Sequence, residues 1–274
     1  MPDVKAVKTG FAELPGARLY YEMAGDGEPL VLLHGGFLDG QMWDEQFPFF
    51  AQHCQVLRYD RRCAGKSETF PSTEPYAHYQ DLYNLLHVLD IQRATLVGLS
   101  EGGRIAIDFT IAYPELVHKL VVVSPAVSGF AYQDEWTFKH GEAMLQALKQ
   151  RDLAGAVEEF LIMWADGPSR TPEQIDPDVR ARMRAMATHA FPLSRLAPNV
   201  QYLDPPAVGR LAEIHVPTLV IVGERDTSDV HVIGKLLQEQ VAGAEAVMMA
   251  DVAHTLVMEK PAELNTLVAH FLRG

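Results

Sequence analysis

Short continuous apolar runs alternate along this chain with longer stretches in which apolar residues recur every three or four positions. "ARLYYEMAG" (Ala17 to Gly25) alternates apolar and polar residues and reads as a half-buried edge strand. "PLVLLHGG" (Pro29 to Gly36) is an unbroken apolar run closed by glycines, the pattern of a strand covered on both faces. The pattern repeats in "CQVLRYD" (Cys54 to Asp60), "RATLVGLS" (Arg93 to Ser100), "HKLVVVSP" (His118 to Pro125), "VPTLVIVGERD" (Val216 to Asp226) and "AEAVMMAD" (Ala244 to Asp251). Helical periods such as "YQDLYNLLHVLD" and "RIAIDFTIAY" lie between most of them, which predicts a parallel sheet with right-handed crossovers and helices on both faces.

One interval departs from this rhythm. From about Gly129 to Arg210 no strand pattern is evident; "EAMLQALKQ", "AGAVEEFLIMWAD" and "PDVRARMRAMATHA" read as helices punctuated by Gly and Pro. The expected organisation is an α/β core from residues 1–128 and 211–274, with residues 129–210 as a helical cap, or lid. A helical second domain would have the same pattern.

Composition narrows the function. With 274 residues and 48% hydrophobic side chains the chain can bury a sizeable core. Lys+Arg number 23 against Asp+Glu 36, and the formal charge of -13 disfavours nucleic acid and anionic membranes as partners. The opening "MPDVKAVKTGFAEL" has no apolar core of a signal peptide, and no segment approaches the roughly 18 to 20 apolar residues of a membrane span, so a cytoplasmic location is expected. Cys54 and Cys63 flank "VLRY", whose extended form would hold them too far apart to bridge. Both are expected as free thiols in a monomer or homodimer.

Ser100 offers chemistry. It stands between Gly98 and Gly102, after a strand and at the start of a helix, the setting of the nucleophile-elbow motif G-x-S-x-G. A serine hydroxyl needs a base, and the base needs a carboxylate to fix its tautomer. His254, in "MMADVAH", follows the last strand; Asp226 closes the strand before it. Both would emerge at the carboxyl edge of the sheet beside the elbow. His231 and His270 fall in helices instead, whereas Glu224, Asp229 and Asp251 compete with Asp226, Asp229 most directly because "RDTSD" could present either carboxylate. An oxyanion would be held by the backbone N–H of Glu101, at the positive end of a helix, and by a second N–H from "HGGFLDG", from Gly36 or alternatively Phe37.

The pieces "LLHGG" (Leu32 to Gly36), "RYDRRCAGKSE" (Arg58 to Glu68), "VGLSEGGRIA" (Val97 to Ala106), "VPTLVIVGERD" and "AHTLVMEKPAELN" (Ala253 to Asn265) together resemble an α/β-hydrolase-fold protein of the esterase and enol-lactonase type. The resemblance implies a mostly parallel, eight-stranded sheet, a helical lid insertion, and a Ser100-His254-Asp226 triad without metal or organic cofactor. Its order of motifs is specific for the fold and nearly silent on the substrate. Two positions depart from the family's pattern. Cys63 stands where a glycine is usual, so a positive φ there would strain it, or it could line the pocket. Glu101 replaces a side chain that is often apolar, amide or histidine; it suits a helix N-terminus, or could oppose the oxyanion or position a polar substrate group.

Most aromatic residues and methionines of the insertion are expected to hold its helices together, and the remainder, Trp136, Met163 and Trp164 among them, to roof an apolar cavity; Arg180, Arg182 and Arg184 could hold a substrate carboxylate but on a helix read first as a solvated face. The expected substrate is a hydrophobic small-molecule ester or lactone. Carbon-carbon bond hydrolysis, perhydrolysis and slow-turnover small-molecule reception by the same triad are the alternatives; an aspartate-nucleophile chemistry is disfavoured by Ser100.

Overall fold

The apolar runs form the interior of one mixed sheet. The computed structural model describes residues 6–71, 74–196 and 198–274. Its main strands are β1 (Lys8–Leu14), β2 (Ala17–Ala24), β3 (Pro29–Leu33), β4 (Gln55–Tyr59), β5 (Ala94–Leu99), β6 (Val117–Val123), β7 (Thr218–Gly223) and β8 (Glu245–Met249). They lie in the order β1-β2-β4-β3-β5-β6-β7-β8, antiparallel at β1/β2 and β2/β4 and parallel elsewhere. A two-residue strand, Glu68–Thr69, adds to β2.

Every residue of β5 and β7 is buried, because helices cover both faces there. Alternate residues feed two cores. Leu30, Leu32, Val97, Val121 and Ile221 face one side with Trp43, Leu264 and Val268; Val31, Leu33, Leu96, Val122 and Val220 face the other with Leu82, Phe109 and Leu237. The covering helices of the second face are α1 (His78–Val88), α2 (Glu101–Ala112) and α6 (Ser228–Gln240), while α7 (Pro261–Arg273) packs on the first.

Two sequence expectations need correction. Ala17–Ala24 is not an edge strand: Lys8–Leu14 pairs with it over its whole length, from Lys8 opposite Met23 to Leu14 opposite Ala17. That outer strand escapes a hydrophobic reading because only Ala12 and Leu14 of it are buried. Within the interval expected to lack strands, Val200–Gln201 forms a two-residue parallel pair with Tyr76–Ala77.

The insertion is otherwise helical, with α3 (Glu135–Lys149), α4 (Leu153–Leu161), a π-helical turn over Ile162–Asp166, and α5 (Pro177–Leu193). Phe160, Leu161, Met183, Met186 and Phe191 join the core on the first face of the sheet, so the insertion shares its apolar interior. Polar stitches fix both of its sides. Asp134 caps α3 through Thr137 N and also accepts from Ser228 N, while Asp229 accepts from the backbone N of Gln133 and Asp134, 2.8 Å each. At the other side all five N–H groups of Arg170 are used: on the carbonyls of Ala165, Asp166 and Asp251, and on both carboxylate oxygens of Glu259. No helix among the described residues is long and apolar enough to cross a membrane.

Candidate active site

Ser100 links β5 to α2 in a conformation that costs a non-glycine residue about 1–3 kcal/mol, with φ 54° and ψ -114°. The surroundings over-determine it. Ser100 N donates to Val123 O at 2.9 Å, and its carbonyl accepts from Arg104 N at 3.0 Å and Ala126 N at 3.1 Å. Backbone approaches leave no room for side chains on either flank: a Cβ on Gly98 would collide with the carbonyl of Gly102, and one on Gly102 with that of Leu33. The two flanking glycines of the motif are thus required by contact, and they hold the serine up from the sheet at the N-terminus of α2.

His254 lies in the loop after β8, and its Nδ1 is hydrogen-bonded to both oxygens of Asp226, at 3.1 and 3.0 Å. A carboxylate partner makes Nδ1 the protonated nitrogen, leaving the lone pair on Nε2. That Nε2 is buried and makes no hydrogen bond among the described residues. Asp226 is itself oriented by Thr227 N at 2.8 Å. The rival carboxylates are engaged elsewhere: Asp229 at the root of α3, Glu224 with Asp251 N at 2.9 Å, and Asp251 with Arg225 at 2.6 Å. His231 meets the carbonyl of Gly223, 2.9 Å away.

Ser100 and His254 line one cavity of about 180 Å³, with Gly36, Phe37, Leu38, Leu99, Glu101, Phe160, Trp164, Met183 and Thr255 among its walls. Gly36, Phe37 and Glu101 therefore border the space beside the serine. A Cβ on Gly36 would stand 3.0 Å from Glu101 Oε2, and Phe37 takes a positive φ of 55°. Of the three insertion residues expected in the roof, Trp164 is there, its ring centroid 4.4 Å from that of His254. Trp136 and Met163 are not among the lining residues. The Trp136 ring meets that of His140 at a tilt, centroids 4.1 Å apart, and Met163, one position from Trp164 on the π-helical turn, is buried in the protein. Phe160 and Met183 supply the remaining roof. Phe160 stands four residues before Trp164, a helical spacing that could have paired them. Of the expected solvated arginines, Arg180 instead pairs with Asp166 and Glu158.

Glu101 is not left to oppose an oxyanion with a bare charge. Arg61 lies 3.0 Å from its Oε2 and Arg104 2.6 Å from its Oε1. Burial alone would raise this carboxyl, but the two guanidinium groups outweigh it and hold the group well below the usual range. Burial, aided by the Arg61 charge, pushes the neighbouring His78 down to about 3 and His34 well below its ordinary value, so both are neutral. Cys63 has the positive φ that its glycine-like position implies, 62°, and its N–H donates to Thr69 Oγ1 at 2.8 Å; it is absent from the cavity lining. Neither Cys54 nor Cys63 takes part in a disulfide among the described residues.

The chain has relatives that match it over most of its length. The chain is 28% identical to the 2-hydroxy-6-oxo-6-phenylhexa-2,4-dienoate hydrolase of Comamonas testosteroni, over 98% of this chain and 96% of that one. It is 27% identical to the pimeloyl-[acyl-carrier protein] methyl ester esterase of Pectobacterium carotovorum subsp. carotovorum (strain PC1), over 94% and 100% respectively. The solved structure of Est816, described as an N-acyl homoserine lactone degrading enzyme, superposes with a TM-score of 0.75 at 28% identity, over 96% of this chain and 100% of that one. With the family model matching residues 30–267, and with the strand order and strained elbow described above, the chain belongs to the Alpha/beta hydrolase family.

Proposed function

We propose that this protein is a serine hydrolase that cleaves the carboxylic ester or lactone bond of a small hydrophobic molecule. One observation carries the reading: a strained Ser100 shares a cavity with His254, whose Nδ1 is bound to Asp226 and whose Nε2 has no hydrogen-bond partner among the described residues. Ser100 Oγ attacks the acyl carbon while His254 Nε2 takes its proton. The carbonyl electrons move to oxygen, where the N–H groups of Glu101 and Gly36 or Phe37 receive them, each worth about 3 kcal/mol. His254 returns the proton to the departing alkoxide, leaving an acyl-enzyme that water resolves by the same steps in reverse. Asp226 holds the imidazole and balances its charge.

The walls favour an apolar acyl group, and their size favours a short one. Phe37, Leu38, Leu99, Phe160, Trp164 and Met183 surround about 180 Å³, below the roughly 300–1,000 Å³ of sites for drug-sized ligands. Residues 129–210 serve as the lid over this space. Hydrolysis of a carbon-carbon bond is a second reading, since the same three residues would serve it, and the likeness to a 2-hydroxy-6-oxo-6-phenylhexa-2,4-dienoate hydrolase supports a hydrolase acting on an oxo-dienoate as its substrate class.

Steady-state hydrolysis of p-nitrophenyl esters of increasing acyl length, by the wild type and by Ser100→Ala, tests the proposal. Rapid turnover of the short esters, abolished by the substitution, is expected. Turnover that is absent or equal in the two proteins would remove the ester reading and turn attention to carbon-carbon bond substrates and ligand binding.

A further inference from the structure

The two backbone segments that would donate to the oxyanion come from different strands: residues 34–37 follow β3, and Glu101 follows β5. Their separation must be held to a fraction of an ångström for both N–H groups to reach one oxygen, because a misplacement of about 1 Å can cost about 10²-fold in rate. A third segment spans them. Arg61, beyond the end of β4, donates from one guanidinium nitrogen to Gly35 O at 3.0 Å, and the same nitrogen lies 3.0 Å from Glu101 Oε2. Its backbone N donates to His34 Nε2 at 3.0 Å. The far oxygen of Glu101 is drawn the other way by Arg104, which stacks on Tyr202 with its guanidinium 4.3 Å from the ring centroid.

Stability is a poor account of this cluster. A buried ion pair contributes little net stability against an apolar replacement, and Arg61, with 6% of its side chain exposed, leaves Nε buried without a partner among the described residues. One guanidinium nitrogen reaches groups on both strand-end segments, and another meets His78 Nε2, at the start of α1, at 3.3 Å. The charges also matter. Two guanidinium groups face one carboxylate, with His34 and His78 neutral beside them.

We propose that the side chains of Arg61 and Glu101 are positioning residues, an ionic staple that sets the spacing between the Gly36–Phe37 segment and the first turn of α2. This rests on the hydrolase reading above, for the staple acts on the oxyanion site of that reaction. It also explains why a carboxylate is tolerated immediately after the nucleophile: Glu101 is the receiving half of the staple, and its charge is neutralised before the substrate arrives.

The test compares wild type, Glu101→Gln, Arg61→Met and the double variant by three readouts: kcat and KM on the best p-nitrophenyl ester, inhibition by an alkyl boronic acid, and thermal stability. The boronic acid forms a tetrahedral adduct on Ser100 with an oxygen in the oxyanion site, and so reports the site without needing turnover. Each single variant should lower kcat about tenfold with KM nearly unchanged, weaken the boronic acid by a similar factor, and the double variant should lose no more than either single one, as expected of partners in one interaction. Glu101→Gln is isosteric and partly exposed, so it remains informative if Arg61→Met does not fold. Folded variants with unchanged kcat and unchanged boronic acid affinity would overturn the staple, as would a kcat loss without weaker boronic acid binding. Wild-type boronic acid binding that survives Ser100→Ala would instead overturn the hydrolase reading itself.

Discussion

Arg170→Met would remove a guanidinium whose five N–H groups all have acceptors, while keeping much of its apolar stem. Arg170 and Glu259 are 6% and 9% exposed, so solvent does little to screen the pair. Leaving one member of such a pair buried alone costs about 3–5 kcal/mol. The carbonyls of Ala165 and Asp166 lose a donor as well, but these losses overlap with the first and do not add in full. A net loss of about 4 kcal/mol would lower Tm by about 8–16 °C in a protein of this size. Urea unfolding followed by tryptophan fluorescence measures it directly, as a fall in midpoint at constant m. Arg170→Met with Glu259→Leu should recover at least half of the loss, because no charge is then left buried. A single-variant loss below about 1 kcal/mol, or a double variant as unstable as the single one, would refute the assignment of this pair as a buried, mutually dependent one.

Asp226→Asn should lower kcat about 10⁴-fold by pinning His254 in the wrong tautomer, whereas Asp229→Asn should leave kcat within about twofold and cost about 1–3 kcal/mol of stability through its bonds to Gln133 and Asp134; equal kcat losses would contradict the geometry. His78, pushed down to about 3, stays neutral in the folded chain, while the unfolded chain takes up a proton below about pH 6.5. Its contribution is therefore complete above that pH and declines on acidification by about 1.4 kcal/mol per pH unit, so His78→Gln should flatten the slope of unfolding free energy between about pH 6 and pH 5 by that amount. Parallel slopes would argue against a neutral His78. Gly98→Ala drives a Cβ into the carbonyl of Gly102 and should lose about 10²-fold in kcat or fail to accumulate folded, wild-type kcat being the contrary result.

The positions that follow from strand ends were legible in the chain. Ser100, Asp226 and His254 each terminate or follow an apolar run, and a parallel sheet brings such positions to one edge. Asp226 and Asp229 could not be told apart by pattern because both sit in "RDTSD"; the difference is that one precedes α6 and faces His254 while the other lies in its first turn and faces the root of α3. The roof was legible only in part. Trp164 and Met163 are adjacent in sequence, but on the π-helical turn Trp164 meets His254 and Met163 does not line the cavity; nothing in an apolar run announces such a turn. Arg61 carried no periodic signal at all. Its role depends on three segments, from β3, β4 and β5, meeting at one point.

The contact between Trp164 and His254 bears on how such a molecule can change over time. Hydrolases of one architecture are often pictured as a fixed chemical chassis beneath an exchangeable canopy. Here the canopy leans on the base that would move the proton, and the same stretch of chain sends Arg170 to Glu259, at the end of the short helix that follows His254. A transplanted insertion from a homologue would strip the imidazole of its aromatic neighbour and orphan Glu259 together. New substrate preferences in this lineage are therefore reached more easily by small steps at Phe160 and Met183, which line the cavity and take no part in the ring contact between Trp164 and His254, than by wholesale exchange.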